Sequence, residues 1–495
     1  MMILLLYVSC THKYTESFPI NNEDSSFLNF NSLPVTMNQN ILSQLQNIVG
    51  KNNCFTSQED KITYSYDGTP LLSFLPEAIV RPTSKEQVSQ IVKLANIENF
   101  SIVPRGAGTG LSGGSIPVEN CIIVDMSRWN NIIEIDTENL TVWVEPGVIT
   151  ATLHAEVEKI GLFYPPDPGS MNICTIGGNV AENSGGLRGL KYGVTKNYVM
   201  GMEVVLPNGE IIMCGGKTVK DVAGYNLKDF FIGSEGTLGI FTKILLKLIP
   251  KPATSKTMLA YFNSQTDAGK AVSSIIAQKI IPATVEFLDK TTIRCVEDFA
   301  KIGLPTDIES LLLLEVDGHP AVVEEEAEKV AEACRQNNAV EVKIAQSIEE
   351  AMKLKTARRS AFSALARSKP TTILEDITVP RSEIAVMLQK INDISKKYNI
   401  LIGTFGHAGD GNLHPTCLTD ERNKDEIARA EKAYGEIFEE AVKLGGTITG
   451  EHGTGIGKRK YLHLVTGTTA IETMRSIKKA MDPNGILNPG KIFEL

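Results

Sequence analysis

Pro104-Arg105-Gly106-Ala107-Gly108-Thr109-Gly110-Leu111-Ser112-Gly113-Gly114 holds five glycines in eleven residues. Successive amide N–H groups without side chains between them can converge on one anion, so the run predicts a cradle for a diphosphate. A bare turn needs only one or two glycines. A short strand, Ser101 to Pro104, leads in, and Asp125 ends a later strand about where a ribose-binding acid stands in a dinucleotide-binding βαβ unit. In that unit the loop must open directly into a helix. Leu111 to Asn120 instead carries two glycines, a proline and no helical stripe, which argues against NAD-type binding and for a different diphosphate-binding fold.

Two further clusters repeat the pattern. Pro165-Pro166-Asp167-Pro168-Gly169-Ser170 runs on to Thr175-Ile176-Gly177-Gly178-Asn179 and Asn183-Ser184-Gly185-Gly186, and Gly233-Ser234-Glu235-Gly236-Thr237-Leu238-Gly239-Ile240 precedes a last strand. The first two clusters suit the two ends of one long cofactor.

Around these loops the periodicity predicts a helix over 38–49 ending at Gly50, and another from Ser84, where Ser84 and Gln87 form a capping box. Short strands follow at Ile122–Asp125, Thr141–Glu145, Met202–Leu206 and Ile244–Ile249, with a hairpin at Pro207-Asn208-Gly209. Pro250-Lys251-Pro252 marks a boundary, beyond which strands and long helices alternate. Strands are expected at Thr257–Phe262, Leu311–Val316, Ile373–Val379 and Ile400–Phe405, and helices near 266–278, 320–337, 347–366, 383–397 and 424–444. The class is α+β, in segments 1–36 (a tail without periodicity), 37–252, 253–470 and 471–495.

At 495 residues with 42% hydrophobic side chains, the chain can bury real cores. Acidic residues outnumber basic ones by 58 to 49, for a net charge of −9, which speaks against nucleic acid as a partner. Eight cysteines stand far apart, with no CxxC pair, so reduced thiols and no iron–sulfur cluster are expected. The apolar start, Met1 to Val8, lacks a basic flank and is too short to span a bilayer. A cytoplasmic location is expected, with peripheral membrane contact left open.

Of seven histidines, His407 and His414 fall in Gly406-His407-Ala408-Gly409-Asp410-Gly411-Asn412-Leu413-His414, and His452 follows Glu451 in Gly450-Glu451-His452-Gly453. With Asp410-Gly411 as a two-residue hairpin turn, 407 pairs with 414 and both imidazoles reach one metal. Glu451 would be the third ligand. Two histidines and a carboxylate with open positions suit zinc or ferrous iron. His12, His154, His319 and His463 lack such context and read as surface or linker residues.

The chain resembles the FAD-linked 2-hydroxy-acid dehydrogenases of the vanillyl-alcohol-oxidase superfamily, in its glycolate oxidase D subunit and D-lactate dehydrogenase branch. The motifs are PRGAGTGLSGG, PPDPGSMNICTIGGNVAENSGG, GSEGTLGI, GHAGDGNLH, GEHGTG and ILNPGK, in the family's order. The resemblance implies a two-subdomain FAD-binding domain over 37–252, a substrate-binding cap over 253–470, and a C-terminal segment, 471–495, returning to the flavin. It implies that Arg105, Gly106, Gly108, Thr109 and Gly110 take the FAD diphosphate. Pro168, Gly169, Gly177, Gly178, Asn179, Asn183, Gly185 and Gly186 would line the adenine side and isoalloxazine edge, and Glu235, Gly236, Ile240 and Asn488 complete the cradle. Relatives with covalent FAD use a histidine in the first loop, where this chain has Gly108 and Thr109, so non-covalent FAD is expected. His407, His414 and Glu451 match the family's metal ligands.

In the implied reaction the metal binds the hydroxyl and a carboxylate oxygen of a D-2-hydroxy acid, His452 takes the hydroxyl proton, and Cα gives hydride to the flavin. Arg358 matches the family's carboxylate-binding arginine, with Arg359 a rival. Where 2-hydroxyglutarate enzymes carry a threonine and a lysine for a second carboxylate, this chain has Phe362 and Leu374, which favours D-lactate or glycolate. An asparagine of those relatives is Thr416 here. Electrons would pass to electron-transfer flavoprotein, quinone or an iron–sulfur subunit, and a homodimer or hetero-complex is left open. A metal-dependent hydrolase leaves the glycine clusters unexplained. An inactive flavin-bearing scaffold would not need the histidine set.

Overall fold

The computed structural model describes residues 37–494, which form one compact unit. The expected tail, with Cys10 and His12, lies outside the described residues.

The first glycine loop leaves a four-stranded sheet ordered Cys54–Phe55, Ala78–Val80, Cys121–Asp125, Ser101–Arg105, the last three parallel. Helix Lys85–Glu98 makes the crossover between Ala78–Val80 and Ser101–Arg105. Ser84 caps it by accepting from the Gln87 amide at 3.3 Å, while Gln87 Oε1 accepts from the Thr83 amide at 2.7 Å. The expected capping box is thus displaced by one residue on its return side. Helix Gln39–Val49 packs on the same face, with Leu45 fully buried. After Arg105 no helix forms before the next strand, and Asp125 is engaged by Arg81 and Tyr64 at 2.8 and 2.7 Å. Asp125 therefore has no part in a ribose site.

A five-stranded antiparallel sheet follows, in the order Ile132–Asp136, Thr141–Val144, Ile240–Lys247, Val199–Val205, Ile211–Gly215. The Pro207-Asn208-Gly209 hairpin joins its last two strands in space, with Gly209 at φ 82° taking the left-handed position that such a loop requires.

From Thr254 a third, antiparallel sheet begins. Its order is Ala339–Ile344, Thr254–Phe262, Ser310–Gly318, Thr284–Asp289, Leu401–His407, Asn412–Thr419, Thr371–Leu374, with Ile377–Thr378 also on Asn412–Thr419. Helices Gln265–Ala277, Pro320–Gln336, Ile384–Tyr398 and Lys424–Lys443 share one core on this sheet, and Lys290–Ala300 and Ala361–Ala366 share another. Burial on two faces explains the unbroken apolar run Leu311–Leu314.

Two expected elements are broken. The strand over 373–379 is interrupted at Glu375-Asp376, and the helix over 347–366 ends at Arg359 and restarts at Ala361. The chain finally returns to the first sheet, where the Ile102 amide donates to Ile486 O at 2.7 Å and the Asn488 amide to Ile102 O at 2.8 Å. No helix among the described residues is long and apolar enough to cross a membrane.

Candidate active site

A cavity of about 610 Å³ runs from the first glycine loop to the histidines of the third sheet. Its size falls within the usual range for cofactor and substrate sites. Every residue expected to touch FAD lines it except Asn183, Gly185, Gly186 and Asn488. Those four stand behind the wall. Asn183 ends helix Ile176–Glu182 in the left-handed region, and its side chain accepts from the Lys196 amide at 2.9 Å. A Cβ on Gly186 would meet Asp167 O at 2.1 Å, and one on Gly185 would meet Glu451 Oε2 at 2.8 Å. Asn488 donates to Gly114 O and Glu235 O at 2.8 and 2.6 Å, tying the first and third glycine loops together.

The cradle fits a phosphate-bearing cofactor. Gly108 sits at φ +69°, and a Cβ there would stand 2.1 Å from the Arg105 guanidinium, so only glycine leaves that buried cation beside the loop backbone. Helix Ile176–Glu182 starts on the same cavity, capped by Thr175, with Gly177 and Gly178 in its first turn.

At the far end, the hairpin register differs from expectation. His407 pairs with Asn412 and His414 with Phe405, so the loop has four residues and the register is shifted by two. A two-residue shift keeps both side chains on the same face, as diagonal neighbours. The imidazoles remain together, with ring centroids 5.2 Å apart. The Nε2 atoms of His407 and His414 face Glu451 Oε1 at 3.1 and 3.3 Å. Ligands at 2.0–2.1 Å on a tetrahedral ion are separated by roughly 3.3 Å, so this donor set fits one. His452 stacks on His414, with centroids 5.0 Å apart and planes 9° apart.

The electrostatics follow from burial and neighbours. Burial opposes charge on Glu451, yet His407 and His414 hold its carboxyl well below the usual range. Burial likewise opposes charge on His407, but Glu286 and Glu451 raise it well above an ordinary histidine. Burial lowers His452 to about 4, against the pull of Asp376, leaving a neutral ring at pH 7.

Asp376, His414 and His452 form a second group close enough to hold a metal. Asp376 is already committed: its Oδ2 accepts from Thr449 Oγ1 at 2.7 Å, the Gly450 amide at 2.8 Å, and the Glu451 and His452 amides at 3.0 Å. It fixes the turn that presents Glu451 and His452.

Both candidate arginines line the cavity from the end of helix Ile348–Arg359. Arg358 is buried, pairs with Glu286 and lies 4.9 Å from the Phe405 ring centroid. Arg359 reaches Asp167 at 2.6 Å. Phe362 and Leu374 are also in the wall, whereas the Thr416 hydroxyl turns back to His414 O at 3.1 Å.

Comparisons with known proteins agree with this architecture. Residues 76–215 match the FAD binding domain model, and residues 251–492 match the model for FAD linked oxidases, C-terminal domain. The chain is 55% identical over 455 residues to the glycolate oxidase subunit GlcD of Bacillus subtilis, covering 92% of this chain and 97% of that protein. The chain belongs to the FAD-linked oxidases.

Within that family it is also 35% identical to a D-lactate dehydrogenase of Anaerostipes hadrus, over 84% of this chain and 89% of that one. In fold it matches p-cresol methylhydroxylase, with a TM-score of 0.77 at 20% identity over 92% of this chain and 97% of that one.

Two residues of this FAD-linked oxidase's site escaped sequence reasoning, Glu286 and Asp376. Each lies in or beside an apolar strand, where a carboxylate among apolar residues is the available signal. His154, expected at the surface, is buried, and its Nε2 lies 2.9 Å from Pro166 O, supporting the second glycine cluster. His319 and His463 are exposed, as expected.

Proposed function

We propose that this FAD-linked oxidase converts a small D-2-hydroxy acid, D-lactate or glycolate, into its 2-oxo acid. His407, His414 and Glu451 would hold a zinc or ferrous ion, and His452 would act as base. The observation that carries this reading is the convergence of both Nε2 atoms on Glu451 Oε1, with His452 stacked alongside, at one end of the FAD cavity. When bound, FAD supplies a two-electron acceptor for the hydrogen on the substrate carbon, and the metal supplies a Lewis acid.

The chain's own residues do the rest. His452, neutral at pH 7, accepts the hydroxyl proton at a ring nitrogen, and Asp376 holds the turn on which it sits. Arg358, with Arg359 beside it, offers a guanidinium to the substrate carboxylate. Phe362 and Leu374 form an apolar wall, so the distal end of a dicarboxylate finds no counter-charge there. Non-covalent FAD occupies the glycine-lined end, and residues 37–252, 253–470 and 471–495 form the FAD-binding, substrate-binding and returning segments. Relatives named as a glycolate oxidase subunit and a D-lactate dehydrogenase support the substrate class, and the word subunit supports a hetero-complex with an electron-accepting partner. That partner would be electron-transfer flavoprotein, a quinone-linked protein or an iron–sulfur subunit.

Anaerobic mixing with D-lactate, L-lactate, glycolate and 2-hydroxyglutarate tests the proposal. D-lactate or glycolate should bleach the flavin, and 2-hydroxyglutarate should do so poorly. A flavoprotein that none of them bleaches would overturn it.

A further inference from the structure

The cavity-lining carboxyl of Glu182 has no role in this scheme. Glu182, the last residue of helix Ile176–Glu182, lies where the first glycine loop meets the turn carrying His452. A Cβ on Gly114 would stand 2.8 Å from its Oε1, and one on Gly453 only 2.2 Å from its Oε2. The same two positions locate the Glu235 carboxylate, at 3.7 Å from a Gly114 Cβ and 3.0 Å from a Gly453 Cβ. Asp67 stands on the third side, 3.9 Å from a Gly110 Cβ that lies 3.8 Å from Glu182.

These three carboxyls are not equivalent. Glu235 accepts from the Thr454 and Gly455 amides at 2.7 Å, and Lys491 and Lys458 also act on it. Asp67 accepts from the Thr69 amide at 2.8 Å and the Ser115 hydroxyl at 3.3 Å, with Arg105 acting on it. Glu182 has neither support: its Oε2 is buried with no hydrogen-bond partner, and only acids act on it. A buried carboxyl with two others beside it, and with no donor and no cation of its own, keeps its proton. Burial, Glu235 and Asp67 together push Glu182 well above the usual carboxyl range. His452 is the neighbouring titratable group on the Gly453 turn, and it is neutral.

We propose that Glu182 is a hydrogen-bond donor to the bound flavin, its carboxyl O–H directed into the cavity, and that this contact raises the flavin's reduction potential. The inference rests on FAD occupying this cavity. A donor stabilises the electron-rich reduced ring more than the oxidised ring, so its loss favours the oxidised form. For a neutral hydrogen bond the change is about tenfold in the equilibrium, or about 30 mV for a two-electron couple.

The test is equilibration of the purified holoenzyme with a reference dye, read by flavin absorbance, for wild type, Glu182→Gln and Glu182→Leu. Glutamine keeps an N–H donor and should stay within about twofold of wild type, while leucine should shift about tenfold toward the oxidised form. Unchanged potential in Glu182→Leu overturns the proposal, as does an equal shift in both variants. Infrared spectroscopy provides a second reading, even if the leucine variant loses FAD. In the wild-type minus Glu182→Gln difference spectrum the C=O band of a protonated carboxylic acid should appear as a positive feature, and its absence from that difference overturns the proposal. Wild-type protein without flavin absorbance would instead refute the cofactor assignment.

Discussion

Glu286 Oε1 lies 2.6 Å from His407 Nδ1, deep in the third sheet, and the other oxygen of the same carboxylate meets Arg358. One buried acid thus fixes the ring of a candidate metal ligand and the guanidinium of the candidate substrate anchor. With Nδ1 occupied by Glu286, Nε2 is the atom left to face Glu451 and a metal.

Glu286→Gln should therefore weaken metal binding about 10–100-fold, the usual effect of losing a carboxylate behind a ligating histidine. FAD should stay bound, since its cradle lies at the other end of the cavity. Metal content by atomic emission and flavin absorbance, measured on one sample, check both halves. A variant with full metal occupancy after dialysis against a weak chelator would show that Glu286 does not support the ligand.

Arg358→Lys tests the guanidinium. Lysine keeps the charge but loses the planar fork, so a bidentate carboxylate contact cannot be restored. A charged hydrogen bond is worth about 1.5–3 kcal/mol, so kcat/KM for D-lactate should fall roughly 10–100-fold. The same change at Arg359 should cost less if Arg359 serves mainly to pair Asp167. The reverse ranking would move the anchor to Arg359.

Much of this site was legible because its parts are short-range in sequence. The glycine loops, the His-x₆-His spacing and the Glu451-His452 pair are visible without tertiary contacts. The hairpin register was not, because Asp410-Gly411 suggests a two-residue turn whereas Ala408 and Gly409 pack inward beside Leu190 and Val285 and join the loop. The error was harmless to the site because a shift of two preserves the face. Glu286 and Asp376 were hidden for another reason. Their partners lie 121 and 76 residues away in sequence, at His407 and His452. Asp376 also breaks the expected strand over 373–379, since its carboxylate turns to the 449–452 turn instead of continuing the alternation.

His452→Ala should retain FAD and metal while slowing flavin reduction by ~10²–10⁴, the typical loss for a positioned base. Rapid mixing with saturating D-lactate under anaerobic conditions reads the step directly. A near-wild-type rate would assign proton removal to another group.

Asp376→Asn should damage the turn more than either residue it presents. One carboxylate oxygen accepts four donors, and an amide in its place puts an N–H or a single carbonyl among them. Each buried donor left unmatched costs about 1–3 kcal/mol. A clear drop in the unfolding midpoint, together with weaker metal binding, is expected. Unaltered stability with normal metal content would show that the turn holds itself.

Lys491→Met probes a buried cation near the FAD cradle. Its Nζ donates to Ile116 O at 2.7 Å, and burial pushes the amine down to about 8, although Cys121, Asp67 and Glu235 pull the other way. An unfolded chain holds this proton up to the ordinary lysine value of 10.5. Between about 8 and 10.5 the unfolded state therefore binds more protons than the folded one, and stability supplied by this group rises with pH. Below about 8 both states are charged, and the cost of burying the ammonium is fully present. Methionine cannot titrate, so the unfolding midpoint of wild type relative to Lys491→Met should rise across this window as the wild-type amine sheds its charge. Tyrosines and other groups titrating there are common to both proteins and cancel in the difference. Thermal unfolding at a series of pH values from 7 to 10.5 measures it, and a difference that stays flat would mean that burial leaves the lysine charged up to its ordinary value of 10.5.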